Sequence, residues 1–362
     1  MPESIRSLQV IASPRMGGAE TTYLRLARAL DSNGHPVLAG VRRGSEIHRH
    51  LEDRLPSETF PMRNYVDLGS MVQIRHAAER HGADIVQSWA SRATWLTRAP
   101  DNAVHVARLG GYYKLRYFRH ADAWIVNTRR MREWMVAKGF PPDRVEWINN
   151  FVPPVAPGTA PAISRELLGV PAEALVVVAL GRFVEKKGFQ DLIAAFARLP
   201  ERIGDRPLHL VLIGDGEMLE TLRSMAAPQV GRVHFTGWLD QPLPLLASAD
   251  VFVCPSRIEP LGNVVLEAWS QGLAVVCTET DGGTELVQSG DTGLLTPVQD
   301  VVRLAHVIER VLREPALRAE LAGHGLHHYR HRFSEQKTLE ATLDFYRRMI
   351  RRVGRRRRAL DA

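Results

Sequence analysis

The chain alternates strand-like and helix-like segments along most of its length, and it does so twice. Short runs rich in valine, isoleucine and leucine are followed by segments with helical apolar spacing, which is typical of parallel sheets covered by helices. Strands are predicted at 7–13, 37–41, 85–88, 104–108, 124–127 and 145–148, and then at 175–180, 208–213, 233–235, 251–254 and 274–277. The fold class predicted is therefore α/β, with two Rossmann-like parallel-sheet domains.

A stretch rich in proline and glycine separates the two halves. Pro153, Pro154, Pro157, Gly158 and Pro161 resist both helix and sheet. A length of 362 residues also suits two domains of ordinary size. We predict an N-terminal domain over 1–155, a linker over 156–170, a C-terminal domain over 171–333, a long helix over 334–353 and a basic tail over 354–362.

Composition indicates a globular protein without a membrane span. Hydrophobic residues make up 45% and charged residues 24% of the chain. The longest apolar run, Ala174–Leu180, is far shorter than the ~18 residues that cross a bilayer. No signal peptide is expected from the first residues. Cys254 and Cys277 fall at the ends of predicted buried strands, which favours free thiols in a reducing cytoplasm.

The net charge of +7 comes from arginine, since the chain has five lysines. A basic surface can face nucleic acid, anionic lipid or a phosphorylated glycan, or can simply keep the protein soluble, and charge alone does not choose. The run Arg355–Arg358 is typical of a disordered, solvated tail. Its alternative is a contact with an anionic membrane surface.

Two acids, Glu259 and Glu267, lie eight positions apart across a predicted strand-to-helix turn that Pro260 and Gly262 punctuate. Such loops hold the binding sites of parallel α/β sheets. Glu267 falls in about the second helical turn, near backbone N–H groups that favour an anion, so a phosphate or a sugar hydroxyl could bind between the carboxylates. The alternative is a solvated loop acid and a surface helix acid.

Three further loops carry candidate binding residues. Gly181–Gly188 follows a predicted buried strand and contains two of the five lysines. Gly17-Gly18 allow positive φ and close backbone approach before a helix, although most such pairs are only turns. The segment Asp281–Glu285 is either a ligand loop or the start of a helix.

In this order, the segments resemble retaining family 4 glycosyltransferases (glycosyl transferases group 1). The resemblance runs from Gly17–Glu20 to Gly290–Leu295. It implies that Glu259, the first acid of an E-x7-E motif, contacts the hydroxyls of the donor sugar and that Glu267 contacts the ribose. The G-R-x4-K-G element implies that Arg182 and Lys187 clamp the diphosphate.

The family resemblance also implies the GT-B architecture, in which two Rossmann-like domains face each other across a cleft and a C-terminal helix crosses back to the N-domain. The implied activity is retaining transfer of a hexose from a nucleoside-diphosphate sugar to a lipopolysaccharide-core, glycolipid or other surface-glycan acceptor. The implied catalytic residues are Glu259, Arg182 and Lys187. The implied donor-binding residues are Gly17, Gly18, Arg182, Lys187, Glu259, Leu261, Gly262, Asn263 and Glu267.

The expected partners are therefore a nucleotide-sugar donor, a glycan or glycolipid acceptor and an anionic membrane surface, with no nucleic acid. We expect a cytoplasmic enzyme with a peripheral contact on the inner face of the cytoplasmic membrane. No cofactor or metal is expected, because the chain lacks a convincing Asp-x-Asp donor loop and clustered His or Cys ligands.

One departure from the family lies after the predicted strand 85–88. Many members carry a histidine there, whereas this chain has Gln87, Ser88 and Trp89. We hypothesise that Trp89 stacks on the acceptor and that His105 is a core histidine. Three alternative functions remain open: a nucleotide-sugar epimerase, a hydrolase with Glu259 and Glu267 as paired acids, and a basic nucleic-acid-binding protein.

Overall fold

The computed structural model describes residues 4–51, 55–153 and 165–358, without the side chains of 354–358. The chain forms two compact units. Unit 1 comprises Met1–Phe151 together with Glu335–Ala362, and unit 2 is the continuous segment Val152–Ser334. Of the predicted linker 156–170, residues 156–164 lie outside the described part, and 165–170 belong to unit 2.

Unit 1 contains one parallel sheet of strand order β3-β2-β1-β4-β5-β6-β7. The strands are β1 Ser7–Ile11, β2 Val37–Arg42, β3 Ser57–Phe60, β4 Ile85–Trp89, β5 Val104–Leu109, β6 Ala123–Val126 and β7 Val145–Trp147. The helices are α1 Gly18–Ser32, α2 Glu46–Leu51, α3 Leu68–His81, α4 Ala90–Leu96 and α5 Arg129–Ala137, with α13 Glu335–Arg358 at the C-terminus. A single 3₁₀ turn, Leu115–Tyr117, follows β5.

The predicted return of the C-terminal helix to the N-terminal domain is confirmed. Leu339, Leu343 and Phe345 of α13 are buried in the core that also holds Leu24 and Leu30 of α1. On the opposite face of the sheet, α3 and α4 cover a second core. Because both faces are covered, the central strands β1, β2, β4 and β5 are buried along nearly their whole length.

A buried polar network fixes α13 against the sheet. The Tyr346 hydroxyl donates to Gln87 Oε1 at 2.8 Å and accepts from Gln9 Nε2 at 3.3 Å. Burial raises the pKa of Tyr346 to about 12. The network therefore places a neutral hydroxyl where two buried amides need partners.

Helix α13 is longer than predicted at its C-terminal end. It runs to Arg358, so the helical backbone continues into the predicted tail 354–362, for which a disordered segment was expected. Residues 359–362 lie outside the described part.

Unit 2 contains a second parallel sheet of order β11-β10-β8-β12-β13-β14, with β9 antiparallel to β10. The strands are β8 Leu175–Leu180, β9 Arg202–Ile203, β10 Arg206–Ile213, β11 Val233–Phe235, β12 Val251–Cys254, β13 Ala274–Thr278 and β14 Leu294–Thr296. The helices are α6 Phe189–Phe196, α7 Leu219–Ala226, α8 Leu243–Leu246, α9 Asn263–Ser270, α10 Asp281–Leu286, α11 Val301–Arg313 and α12 Pro315–Arg332.

Strand β8 shows how the sequence determines this layered arrangement. Successive side chains of a strand point to opposite faces. Leu175 and Val177 lie in a core with α6 and α11, whereas Val176 and Val178 lie in a core with α9. The two-domain α/β fold predicted from the alternation is confirmed.

Cys254 and Cys277 are both buried and free, at paired positions of β12 and β13. Within residues 4–51, 55–153 and 165–358, we find no helix that is both long enough and apolar enough to cross a membrane.

Candidate functional site

The predicted acids lie in a loop and helix at the carboxyl end of β12. The loop runs from Pro255 to Gly262, and α9 begins at Asn263. Gly262 has φ +90, a conformation that glycine adopts without strain. This glycine turns the chain from the loop into the helix, as the sequence predicts.

Glu259 and Lys187 form an ion pair. Lys187 Nζ donates to Glu259 Oε2, and Ser256 Oγ donates to the same oxygen at 3.2 Å. The side chains of Lys187 and Glu259 are 21% and 11% exposed. Burial acts to lower the pKa of Lys187, but the charge of Glu259 and its hydrogen bond outweigh burial and raise it. The pair therefore favours the charged ammonium of Lys187.

Backbone contacts hold the two loops of this pair together. The N–H groups of Arg257 and Ile258 donate to the Lys186 carbonyl at 2.8 and 3.1 Å. Gly188, at φ +69, passes so close to Pro255 that a Cβ would lie 1.9 Å from the Pro255 carbonyl oxygen. A side chain at residue 188 would push the loops apart, so this glycine sets the position of Lys187.

A second ion pair joins the same two segments. Arg257 Nε and Nη2 each donate to a carboxylate oxygen of Asp191 at 2.8 Å, and Nη1 donates to Glu185 at 3.3 Å. The hydrogen bonds to Asp191 raise the pKa of Arg257. The Arg257–Asp191 pair was not predicted, because an acid in the first turn of α6 gives no sequence signal for a partner in another loop.

The segment Asp281–Glu285 is both a helix start and a neighbour of Glu259. Thr280 caps α10 by accepting from the Gly283 N–H at 3.1 Å. The Gly282 N–H donates to the Glu259 carbonyl at 2.7 Å, and a Cβ on Gly282 would lie 2.2 Å from the Leu261 oxygen. The start of α10 thus supports the backbone that carries Glu259.

The remaining predicted residues of unit 2 lie in the same loops or in helix α9. Glu267 is a buried residue of α9, one turn beyond Asn263, and Leu261 is buried in the core under that helix. Arg182 is exposed in the loop after β8. Its positive charge acts to lower the pKa of Lys187, against Glu259, which indicates that the two cations lie near each other.

A further loop, Gly214-Asp215-Gly216, follows β10 and was not predicted to take part in the site. A Cβ on Gly214 would lie 1.9 Å from the Gly181 oxygen, and the Phe183 N–H donates to the Asp215 carbonyl at 2.8 Å. This loop therefore holds the backbone on both sides of Arg182. The available signal was the Gly-Asp-Gly sequence directly after the predicted strand 208–213.

Gly17 and Gly18 lie in unit 1, at the turn between β1 and α1. Gly17 has φ −176, which is extended backbone, so the positive φ that we invoked for this pair is wrong for Gly17. The preceding residue, Met16, donates its N–H to Glu46 Oε2 at 2.8 Å, which ties the turn to α2. A contact of Gly17 and Gly18 with the donor stays a prediction.

Trp89 does not have the setting expected for acceptor stacking, and that prediction is wrong. The indole is buried, and its Nε1 donates to Gln9 at 3.0 Å. The Arg108 guanidinium lies 5.1 Å from the ring centroid, and the Tyr23 ring approaches edge-on at 5.7 Å. Trp89 is therefore a core residue of unit 1.

His105 is a core residue, as predicted. Its Nε2 lies 2.9 Å from the Ser88 hydroxyl, and burial lowers its pKa well below the ordinary value.

Metal-ligating side chains do not converge in the part of the chain that the structure describes, where no group of three His, Cys, Asp or Glu residues could hold an ion.

Comparison with known proteins finds similarity in sequence over both halves of the chain. Residues 174–314 match the family described as "Glycosyl transferases group 1", and residues 16–156 match "Glycosyltransferase Family 4". Two similar proteins come from Rhizobium meliloti, the lipopolysaccharide core biosynthesis glycosyltransferases LpsE and LpsD. LpsE is 36% identical over 90% of this chain and 95% of its own length, and LpsD is 31% identical over 92% and 96%.

A solved structure of Anabaena HepE in complex with UDP and glucose superimposes with a TM-score of 0.79 at 23% identity, over 94% of this chain and 98% of that one. At that identity the likeness concerns the fold. The sequence matches define the class: the protein is a glycosyltransferase, and the chain belongs to glycosyltransferase family 4.

Proposed function

We propose that this glycosyltransferase moves a hexose from a nucleoside-diphosphate sugar to a lipopolysaccharide-core, glycolipid or other surface-glycan acceptor, with retention of configuration and without a metal. The acceptor class is supported by the names of LpsE and LpsD, which act in lipopolysaccharide core biosynthesis. The donor class is supported by HepE, which was solved with UDP and glucose. The observation that carries the proposal is the Lys187–Glu259 pair, held between two loops at the carboxyl edge of the unit 2 sheet.

The cations of this site suit a diphosphate leaving group. Negative charge grows on the diphosphate as the glycosidic bond breaks, and fixed positive charge nearby lowers the barrier. Lys187 and Arg182 would supply that charge. The charged state that Glu259 favours in Lys187 ensures that the cation is present at neutral pH.

In the proposed transfer, Glu259 orients the sugar by accepting hydrogen bonds from its hydroxyls, and Glu267 binds the ribose. The acceptor oxygen attacks the face of the sugar that the diphosphate leaves, through an oxocarbenium-like state. The acceptor hydroxyl gives its proton to a phosphate oxygen of the leaving group, so charge and protons balance without another base.

Membership of the family favours glycosyl transfer over the epimerase, hydrolase and nucleic-acid-binding alternatives. The hydrolase alternative also requires a carboxyl group set apart in an apolar pocket. Glu259 instead bonds to the ammonium of Lys187 and the hydroxyl of Ser256. We place the enzyme in the cytoplasm, acting at the inner face of the cytoplasmic membrane where a lipid-borne acceptor would be presented.

Thermal unfolding with UDP, GDP, ADP and their sugar conjugates, in the presence of a chelator, tests the donor site. A ligand at 100 times its Kd stabilises by about 2.7 kcal/mol. For a domain of this size that corresponds to about 5–11 °C in Tm. We expect such a shift for one nucleotide, its loss in Glu267→Ala, and its retention in Glu220→Ala, an acid of the same unit whose side chain is 82% exposed.

Two further measurements address the chemistry. The anomeric configuration of the product by NMR should match that of the donor, and inversion would contradict retention. Turnover should survive the chelator. Failure of every nucleotide to shift Tm would remove the proposed donor site.

A further inference from the structure

Three aliphatic side chains within a seven-residue segment of unit 1 are exposed to solvent. The described residues include ten exposed large apolar side chains, and Val66, Leu68 and Val72 are 77%, 70% and 54% exposed. Leu68 and Val72 are one turn apart on α3 and therefore share its outer face. The Leu68 N–H donates to the Val66 carbonyl at 3.0 Å, which keeps Val66 beside that face. We call these three residues the Val66 face.

Aromatic and arginine side chains border the Val66 face. Tyr65, next to Val66, stacks on Tyr117 with ring centroids 4.5 Å apart. Arg92 lies 6.0 Å from the Tyr65 ring centroid, and Arg116 lies 4.8 Å from that of Tyr117. The rings are thus engaged with each other and with guanidinium groups.

Three arginines lie close to the Val66 face, together with one acid, Asp67. Arg63 is exposed three residues before Val66, in addition to the arginines over the tyrosine rings. The carboxylate of Asp67 accepts hydrogen bonds from the backbone N–H groups of Arg63 and Ser70, at 3.0 Å each. Exposed branched aliphatic residues beside arginines form an amphipathic surface.

We propose that the Val66 face docks on the surface of an anionic lipid bilayer. Val66, Leu68 and Val72 enter the boundary between headgroups and acyl chains, and the exposed Arg63 and Arg116 contact lipid phosphates. A second copy of the chain fits less well, because a two-fold interface would bring these arginines against their own equivalents. A soluble glycan also fits less well, since sugars stack on free ring faces and the tyrosine rings here are occupied.

Vesicle flotation tests the proposal. The full chain is mixed with vesicles of phosphatidylcholine alone or with 30% phosphatidylglycerol, as a wild type and as the triple variant V66S/L68S/V72S. Because three aliphatic side chains no longer enter the bilayer, we expect the partition coefficient on anionic vesicles to fall at least tenfold. A charge variant, R63Q/R116Q, should bind more weakly and with a smaller dependence on salt.

The matched control is Val302→Ser, which removes a 60% exposed valine from α11 in unit 2 and should leave binding unchanged. Deletion of residues 355–362 measures the separate contribution of the basic C-terminus. The proposal would be overturned if the wild-type protein does not bind anionic vesicles, or if the triple variant binds them as strongly as the wild type.

Nucleotide-induced Tm shifts in the triple variant separate this inference from the proposed activity. The Val66 face lies in unit 1 and the predicted diphosphate clamp in unit 2. The shifts should therefore be preserved when vesicle binding is lost.

Discussion

Breaking the Lys187–Glu259 ion pair should lower the free energy of unfolding of unit 2, and the size of the loss depends on how deeply the pair is buried. Removing one partner of a fully buried pair costs about 3–5 kcal/mol, because the other charge is left without compensation. The two side chains keep 21% and 11% exposure, so water screens part of the remaining charge. We therefore expect about 2–3 kcal/mol for Lys187→Met, or about 4–12 °C in Tm for a unit of this size.

A double-mutant cycle with Glu259→Gln isolates the interaction itself. The coupling energy should be about 1–2 kcal/mol, measured by urea unfolding of wild type, both single variants and the double variant. The control cycle uses Arg223 and Glu220, a pair at 2.9 Å with 54% and 82% exposed side chains, which should couple by less than about 0.5 kcal/mol. Equal coupling energies in the two cycles would refute the reasoning from burial.

The pH dependence of this pair follows from the raised pKa of Lys187. A base whose pKa is raised on folding contributes its full stability below its unfolded pKa, which is 10.5 for lysine, and loses it as pH rises through the folded pKa. The difference in stability between wild type and Lys187→Met should therefore stay constant from about pH 6 to 9 and shrink in stronger alkali.

Three other predictions concern packing and burial. Gly282→Ala should lower Tm, because its methyl group would lie 2.2 Å from the Leu261 oxygen, whereas Gly323→Ala, with open space on α12, should raise it slightly in calorimetry. Tyr346→Phe should cost about 1–3 kcal/mol in urea unfolding, since buried Gln87 and Gln9 lose a partner, whereas Tyr117→Phe should cost less than about 0.5 kcal/mol. Burial lowers the pKa of His105 in the folded protein, so on acidification this histidine is protonated in the unfolded chain before it is protonated in the folded one. The free energy of unfolding should therefore decrease as the pH drops below about 6.5. His105→Gln should weaken that slope, and an unchanged slope would contradict the assignment.

The fold was predictable from the sequence wherever burial of an element requires a clear hydrophobic pattern. Strand β8 is apolar throughout because both faces of its sheet are covered, and its predicted bounds are the observed ones. The edge strand β3, Ser57–Phe60, was missed, because its exposed start and half-buried centre allow serine, glutamate and threonine. The three-residue strand β14, Leu294–Thr296, was also missed.

The residues of the candidate site were predictable one at a time, but their connections were not. Glu259 and Lys187 each occur in a recognisable loop, whereas Ser256 and the Arg257–Asp191 clamp join the loops through polar contacts that have no period along the chain. Trp89 was misjudged for a related reason. The network that surrounds it includes Tyr346 of α13, which lies 259 positions beyond its partner Gln87.

The insertion of unit 2 between Phe151 and Glu335 has a consequence for how the protein is made. Domains generally fold as units while the chain leaves the ribosome. Unit 2 is a continuous segment and is complete before α13 has been synthesised. The sheet of unit 1, although translated first, has the face that Phe345 and Tyr346 cover still open at that moment. Although most of unit 1 is translated first, its core cannot be completed until the last segment of the chain, α13, has been made.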